Sequence, residues 1–285
     1  MSSRCPERRL VRLALAVAVA IATTSALPAF GAERKLRVCA EPDNLPLSGA
    51  QETGFENRIA RLLADELGAD LVYEWQPQRR GFVRKTIGAD LCDVWMGVPA
   101  GFERLLTTRP YYRSRYVFLN RADAIEPLRS FADPRLATLR IGIQLIGNDL
   151  AATPPAHALA RAGATDNVVG YNVYGDGSAA ERIGADLAAG RLDAALVWGP
   201  QAGYFTDHLA VPLAITPAIA PRGFDLPFDF AIAIGVRKGA ADLRRDLDAA
   251  LARRAADIDA ILDAYHVPRI AETTSTAAAT APSRP

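Results

Sequence analysis

The 285-residue chain is poor in the residues that carry most metal and nucleophile chemistry, with three cysteines and three histidines. His157, His208 and His266 are scattered, without paired spacing or a cysteine cluster beside them, so the sequence supports no metal site. There is no nucleophile-elbow motif, the glycine-rich stretches lack phosphate-loop spacing, and Gly175-Asp-Gly-Ser178 reads as a turn. Carboxylates are plentiful, yet nothing in their spacing nominates a pair for acid–base work. A surplus of charge of one sign is missing too, since 33 Lys and Arg face 32 Asp and Glu. That balance excludes the concentrated basic field that a nucleic acid or an anionic membrane surface would select. No cofactor is implied.

Long apolar runs are absent after the first thirty residues. The start itself is different. Arg4, Arg8, Arg9 and Arg12 precede an uncharged, mostly apolar stretch from Leu13 to Phe30, which ends in small residues around Ala29, Gly31 and Ala32. A basic start, a short apolar centre and a small-residue exit describe a secretory signal peptide, residues 1–32, rather than a retained anchor. Removing it leaves a nearly neutral chain with no segment apolar enough to insert in a membrane, exported to the periplasm. Cys5 leaves with the signal. Cys39 and Cys92 remain, and in an oxidising compartment either a disulfide or two buried thiols fits them equally.

The mature chain reads as two α/β units in tandem. Leu36–Ala40 is a strand, a polar loop runs from Glu41 to Gly54, and Phe55, Ile59, Leu62, Leu63 and Leu67 recur at helical spacing before Gly68. Leu71–Trp75 and Asp93–Val98 are further strands, with a helix expected over Gly81–Ile87. The pattern then restarts: strands at 139–145, 167–174 and 194–198 alternate with helices at 156–162 and 179–189. Tyr116–Leu119 and Phe228–Val236 are β-prone connectors, and one long helix is expected from Leu243 to Tyr265. Residues 271–285 are Ala, Thr, Ser and Pro and read as a disordered tail.

In parallel sheets the ligand crevice forms outside the carboxyl ends of the strands. Here those ends carry the loops 41–48, 76–80, 98–102, 146–155 and 199–203, all rich in Gly, Pro and polar groups. They place Asp43, Asn44, Gln78, Arg79, Arg80, Val98, Pro99, Arg104, Gln144, Asn148, Trp198, Gly199 and Pro200 along a cleft between two lobes. Arg79 and Arg80 have the fork geometry to hold a carboxylate, or else form a solvated basic turn. Gln144 and Asn148 precede a helix, where free N–H groups favour an anion and a simple cap serves as well. Trp198 offers a flat apolar face and one N–H donor at the crevice edge.

The ordered set Leu36-Arg-Val-Cys-Ala-Glu-Pro-Asp43, Gly54-Phe-Glu56, Asp93-Val-Trp-Met-Gly-Val98, Arg109-Pro-Tyr-Tyr112 and Leu192-Asp-Ala-Ala-Leu-Val-Trp-Gly-Pro200 resembles family 3 bacterial extracellular solute-binding proteins. Gln78-Arg-Arg-Gly-Phe-Val-Arg84, Met96-Gly-Val-Pro-Ala-Gly101, Thr107–Ser114, Ala202-Gly-Tyr204 and Tyr265–Pro268 are similar to the quinoprotein-dehydrogenase-associated, MoxJ/XoxJ-like branch. The resemblance spans about Leu36 to Pro268. It implies a type II periplasmic-binding fold: two lobes, each a mainly parallel sheet flanked by helices, joined by two hinge strands. Lobe 1 would comprise residues 33–118 and 229–270, and lobe 2 residues 119–228. Amino-acid-binding members use an Arg after the third strand, near Arg104 here, and an acid on the lobe 2 strand end. Trp198 stands in place of that acid, and Asn44 in place of a stacking aromatic. An indole supplies no full negative charge for an ammonium, which disfavours an amino acid as ligand.

Three functions follow from the resemblance. The first is an accessory protein of a periplasmic PQQ-dependent alcohol or methanol dehydrogenase, gripping part of that enzyme during maturation or activation. The second is the receptor of an ABC importer, binding a small organic solute and docking on the permease. The third is a cyclohexadienyl-dehydratase-like enzyme on the same fold. The missing ammonium-binding acid and the dehydrogenase-associated motifs favour the first, and the missing acid–base pair argues against the third.

Overall fold

A computed structural model describes residues 34–146, 151–173 and 177–271. The signal segment 1–32, all of the 271–285 tail but its first residue, and Asn148 lie outside these residues. In chain order the elements begin with β1 (Lys35–Ala40), the paired two-residue strands β2 (Asp43–Asn44) and β3 (Ser48–Gly49), and α1 (Phe55–Glu66). They continue with β4 (Asp70–Trp75), α2 (Phe82–Lys85), β5 (Val94–Pro99), β6 (Leu106–Thr107) and β7 (Tyr112–Arg121). Next come β8 (Ile141–Ile146), β9 (Ala151–Ala152), α3 (Pro154–Arg161), β10 (Val168–Asn172), α4 (Ala179–Ala188), β11 (Ala194–Trp198) and α5 (Gly199–His208). The chain closes with β12 (Leu213–Pro217), β13 (Asp229–Val236), α6 (Ala241–Arg253) and α7 (Ala255–Ala264).

Hydrogen bonding links the larger strands in the order β10-β8-β11-β7-β13-β5-β1-β4. Each end of this sheet is a parallel trio, β4-β1-β5 and β10-β8-β11, as the two alternating strand–helix patterns require. The middle is two long antiparallel strands. β7 pairs with β13 only through Tyr112–Arg115 and Asp229–Ile232; beyond that, β7 turns to β11 and β13 to β5. Two cores follow this division. One joins α1, α6 and α7 to the first trio through Ile59, Leu63, Leu247, Leu251 and Leu262. The second half is packed on both faces, around Phe118, Phe131 and Leu159 on one side and Leu119, Ile183 and Phe205 on the other.

The tandem units share a buttress that the sequence pattern hints at only as Asp93-Val and Asp193-Ala. The Arg37 guanidinium grips Asp93 through Nε at 3.1 Å and Nη2 at 2.7 Å, and its backbone N–H donates to the same carboxylate at 3.2 Å. Arg140 repeats every bond on Asp193, at 3.0, 2.6 and 2.8 Å. In each unit a bidentate pair fastens the first strand to the start of the third.

Three elements differ from expectation. The long final helix is two helices meeting at Arg254. The expected helix over 81–87 is a single turn, Phe82–Lys85, followed by a 3-10 turn at Ile87–Ala89. The expected loop 199–203 is the first turn and a half of α5. Pro200 sits in that first turn, where its missing N–H and fixed φ cost nothing. A Cβ at Gly203 would run into the backbone of Tyr265 and His266, so only glycine lets the helix lie against the residues after α7. Among the described residues no helix is long and apolar enough to cross a membrane.

Candidate functional site

The strand ends of the first half are organised by Glu41, which is buried directly after β1. Its carboxylate accepts the backbone N–H of Gln78, and that of Asp43 at 3.4 Å. The Ser48 hydroxyl donates to its carbonyl at 2.8 Å. One residue thus ties the 41–48 loop to the 76–80 loop. Burial pushes the Glu41 carboxyl above the usual range, and the two backbone N–H groups pull it back. Asn57 holds the other end of the loop, accepting from the N–H of Gly49 at 3.0 Å and of Gly54 at 3.1 Å. A Cβ at Gly54 would collide with the Leu47 carbonyl, which is why glycine precedes α1.

Beside these lies a second buried carboxyl. Glu56 faces Gly97 on β5, where φ is +72° and a Cβ would overlap the carboxyl oxygens. Its Oε1 has no hydrogen-bond partner, and burial pushes it up to about 8 against the opposing pull of the Tyr111 hydroxyl. That hydroxyl in turn accepts the Gly97 N–H at 3.1 Å. Glu41 and Glu56 line one cavity of about 10 Å³, with Ser48, Asn57, Tyr73 and Gln78. This is room for about one water. The two carboxyls are 15 positions apart on different elements, so spacing alone gave no hint of the pairing.

The sequence-predicted residues do not form one lining. Asp43, Arg79, Arg80, Pro99 and Arg104 are exposed, and Gln78 is half-buried. Asn44 is buried within the β2–β3 pair. Val98 is a correction: it is 1% exposed and packs on Gly235 of β13, because alternate residues of β5 face the core. Gly199 and Pro200 are also buried, with Gly199 pressed against Ser114, Arg115 and Pro268. Gln144 is buried on β8, and its Nε2 has no partner among the described residues. Trp198 ends β11 half-buried, edge-on to Tyr116 at 5.2 Å and to Phe230 at 5.9 Å. It packs against the cores of both halves and so belongs to the junction between them. Cys39 and Cys92 form a disulfide, with Cα atoms 5.6 Å apart.

The halves touch at several points. The Ser178 hydroxyl, ahead of α4, donates to the Leu45 carbonyl at 3.1 Å. His266 Nε2 lies 3.1 Å from Asp207 of α5. Within the first half, Tyr265 donates to the Thr53 carbonyl and Ser114 to the Pro268 carbonyl at 2.6 Å, bracing the segment that carries His266. Between these contacts opens a hollow of about 290 Å³, lined by Leu45, Thr53, Arg58, Tyr204, Asp207 and His208 with Ala264 and Tyr265. None of these was singled out from the sequence, although Leu45 lies in the 41–48 loop expected at the crevice. Arg58 lies over the Tyr265 ring at 5.2 Å, and His208 stacks on Tyr204 at 3.8 Å. Two flat aromatic faces and a mixed-charge rim give this hollow the chemistry to hold a planar polar group.

Two parallel-stranded halves joined by a pair of crossing strands, with strand-end loops turned toward one another, define a type II periplasmic binding protein. No protein-family model matches the chain. Protein MoxJ of Paracoccus denitrificans is 35% identical over 269 residues, 87% of this chain and 94% of that protein. Protein MoxJ of Methylorubrum extorquens is 32% identical over 249 residues, 82% and 81% of the two chains. The crystal structure of the periplasmic binding protein XoxJ from Methylobacterium extorquens AM1 is 36% identical, with a TM-score of 0.68 over 83% of this chain and 100% of that one. The chain belongs to the MoxJ/XoxJ-like branch of the family 3 solute-binding proteins.

Proposed function

We propose that this chain is a periplasmic accessory protein of a PQQ-dependent alcohol dehydrogenase, of the methanol-oxidising kind, and that it acts by binding rather than by catalysis. Its signal segment, residues 1–32, is removed on export, and the two lobes, 33–118 with 229–270 and 119–228, grip a segment of the enzyme during maturation or activation. The observation that carries this reading is Trp198. The lobe 2 strand end that supplies an ammonium-binding acid in amino-acid receptors holds an indole tied into a hinge of aromatic rings. The MoxJ and XoxJ relatives, matched over most of their length, point the same way. So does the disulfide, which suits an oxidising compartment.

Closure of the lobes on the partner would follow from tighter binding to the closed form. The test is a pull-down of a PQQ-dependent methanol dehydrogenase, with the mature protein immobilised. Retention that falls several-fold in the Arg79→Ala/Arg80→Ala variant is expected. Absence of retention, alongside tight binding of a small organic solute, would replace the accessory role with that of an importer receptor.

A further inference from the structure

Away from the strand-end loops, the second half carries a hollow of about 470 Å³. Its floor is apolar: Phe131, Ala158 of α3, Ala220 and Pro221. Its rim is basic, with Arg129, Arg161 and Arg222 all exposed, and no acid stands among the residues that line it. Many of the described arginines are committed to carboxylates, among them Arg37, Arg113, Arg121, Arg135, Arg140 and Arg237. Arg129 and Arg222 have no such partner among the described residues. Arg161 donates to the Gly223 carbonyl at 2.7 Å, which pins the turn that presents Arg222. Phe224 N–H closes that turn on the Pro221 carbonyl at 3.1 Å, and Gly223 takes the positive φ of +69° it needs.

The hollow continues into another of about 320 Å³, where Phe224, Leu226, Pro227 and Phe228 are joined by Arg115, Asp225 and Asp229. Ile219 and Ala220 wall both. Ile219 is 57% exposed and Leu226 42%, so the β12–β13 connection raises an apolar ridge between the two depressions. An apolar centre with an arginine rim has the composition of a protein-docking patch rather than of an idle surface.

We propose that this face docks an acidic, apolar segment of a partner protein, its apolar side chain in the larger hollow and its carboxylates on Arg129 and Arg222. The occupant follows from charge: the three guanidinium groups of the larger hollow, which no acid lines, select carboxylates there rather than beside Asp225 and Asp229 of the smaller one, and the floor selects an aliphatic or aromatic side chain between them. The site shares no residue with the cleft, and the proposal stands whether or not the accessory role does.

The test uses the mature chain and a phage-displayed random dodecapeptide library. Clones are selected on the native protein and counter-selected on the Arg129→Glu/Arg222→Glu variant. Both side chains are exposed, so the variant should keep its circular dichroism and melting temperature; if it does not fold, Arg129→Gln/Arg222→Gln serves. Surviving peptides are expected to carry Asp or Glu flanking Leu, Phe or Trp. They should bind at least tenfold more weakly to the arginine variant and to Ile219→Ser, and lose affinity as salt rises. Failure of any clone to survive, or survivors without acids or without an apolar anchor, would overturn the proposal.

Discussion

Glu56 makes the stability of this protein depend on pH in a way that one substitution should abolish. The carboxyl is 6% exposed, presses on the backbone of Gly97, and has one oxygen without a hydrogen-bond partner. Burial disfavours its charged form and pushes it from 4.5 to about 8. Between those two values the folded chain keeps a proton that the unfolded chain has released. The contribution is therefore fully present below about pH 4.5 and is lost as pH rises to about 8. Each pH unit costs about 1.4 kcal/mol, or roughly 5 kcal/mol over the whole window. Glu56→Gln has nearly the same shape and no charge to lose. Its stability relative to the native chain should be nearly pH-independent below pH 4.5, rise steadily to an advantage of about 3 kcal/mol at pH 7, and level off above pH 8. Urea unfolding followed by tryptophan fluorescence at pH 4.5, 5.5, 6.5, 7.5 and 8.5 measures this. Comparing the two proteins at each pH cancels the opposite trend from carboxylates held low by arginine, such as Asp193 beside Arg140. A difference that stays flat with pH, or falls as pH rises, refutes the reasoning.

Reduction of Cys39–Cys92, or Cys39→Ser with Cys92→Ser, opens a loop of 53 residues and should cost about 4 kcal/mol, read as a lower urea midpoint. Gly203→Ala should destabilise by about 1–3 kcal/mol, because its Cβ meets the His266 carbonyl, while Gly101→Ala, with φ +80° and open space around it, should cost only about 1 kcal/mol of backbone strain; paired thermal melts separate them. Trp198→Ala should cost about 3–4 kcal/mol, since the ring packs on both cores, and Arg104→Ala, exposed on a loop, should stay within about 0.5 kcal/mol in the same assay.

Much of the architecture is written locally. Phe55, Ile59 and Leu63 recur at helical spacing and become the buried stripe of α1, and the two runs of strand and helix become the two parallel trios. What escaped the sequence is what packing decides. Gly199-Pro-Gln-Ala-Gly203 carries three poor helix formers in five residues and reads as a loop. The structure makes it α5 because each glycine admits a close approach that a side chain would block, Ser114 and Arg115 at one and His266 at the other. Leu213–Pro217 gave no strand signal, yet it forms β12 by pairing along Pro217–Leu213 with Val117–Arg121. The inter-lobe hollow is assembled from the β1–α1 loop, α1, α5 and the end of α7. No local spacing announces such a convergence.

The contacts between the halves bear on how anything enters between them. The residues after α7 are fastened within the first half, where Tyr265 donates to the Thr53 carbonyl, Pro268 accepts from Ser114 and Ile270 N–H donates to the Arg113 carbonyl at 2.9 Å; from this anchored segment His266 reaches Asp207 of α5 in the second half. That contact, with Gly199 pressed against Ser114, Arg115 and Pro268 and Gly203 against Tyr265 and His266, holds α5 to the side of the molecule that carries the β7–β13 crossing. The Ser178–Leu45 bond, by contrast, is a single hydroxyl on a loop carbonyl. A neutral hydrogen bond of this kind is worth about 1 kcal/mol net. Separation of the halves should therefore begin at Leu45 and Ser178, with the α5 side acting as the pivot, and the exposed Arg79 and Arg80 lie on the 76–80 loop that Glu41 ties to the moving rim.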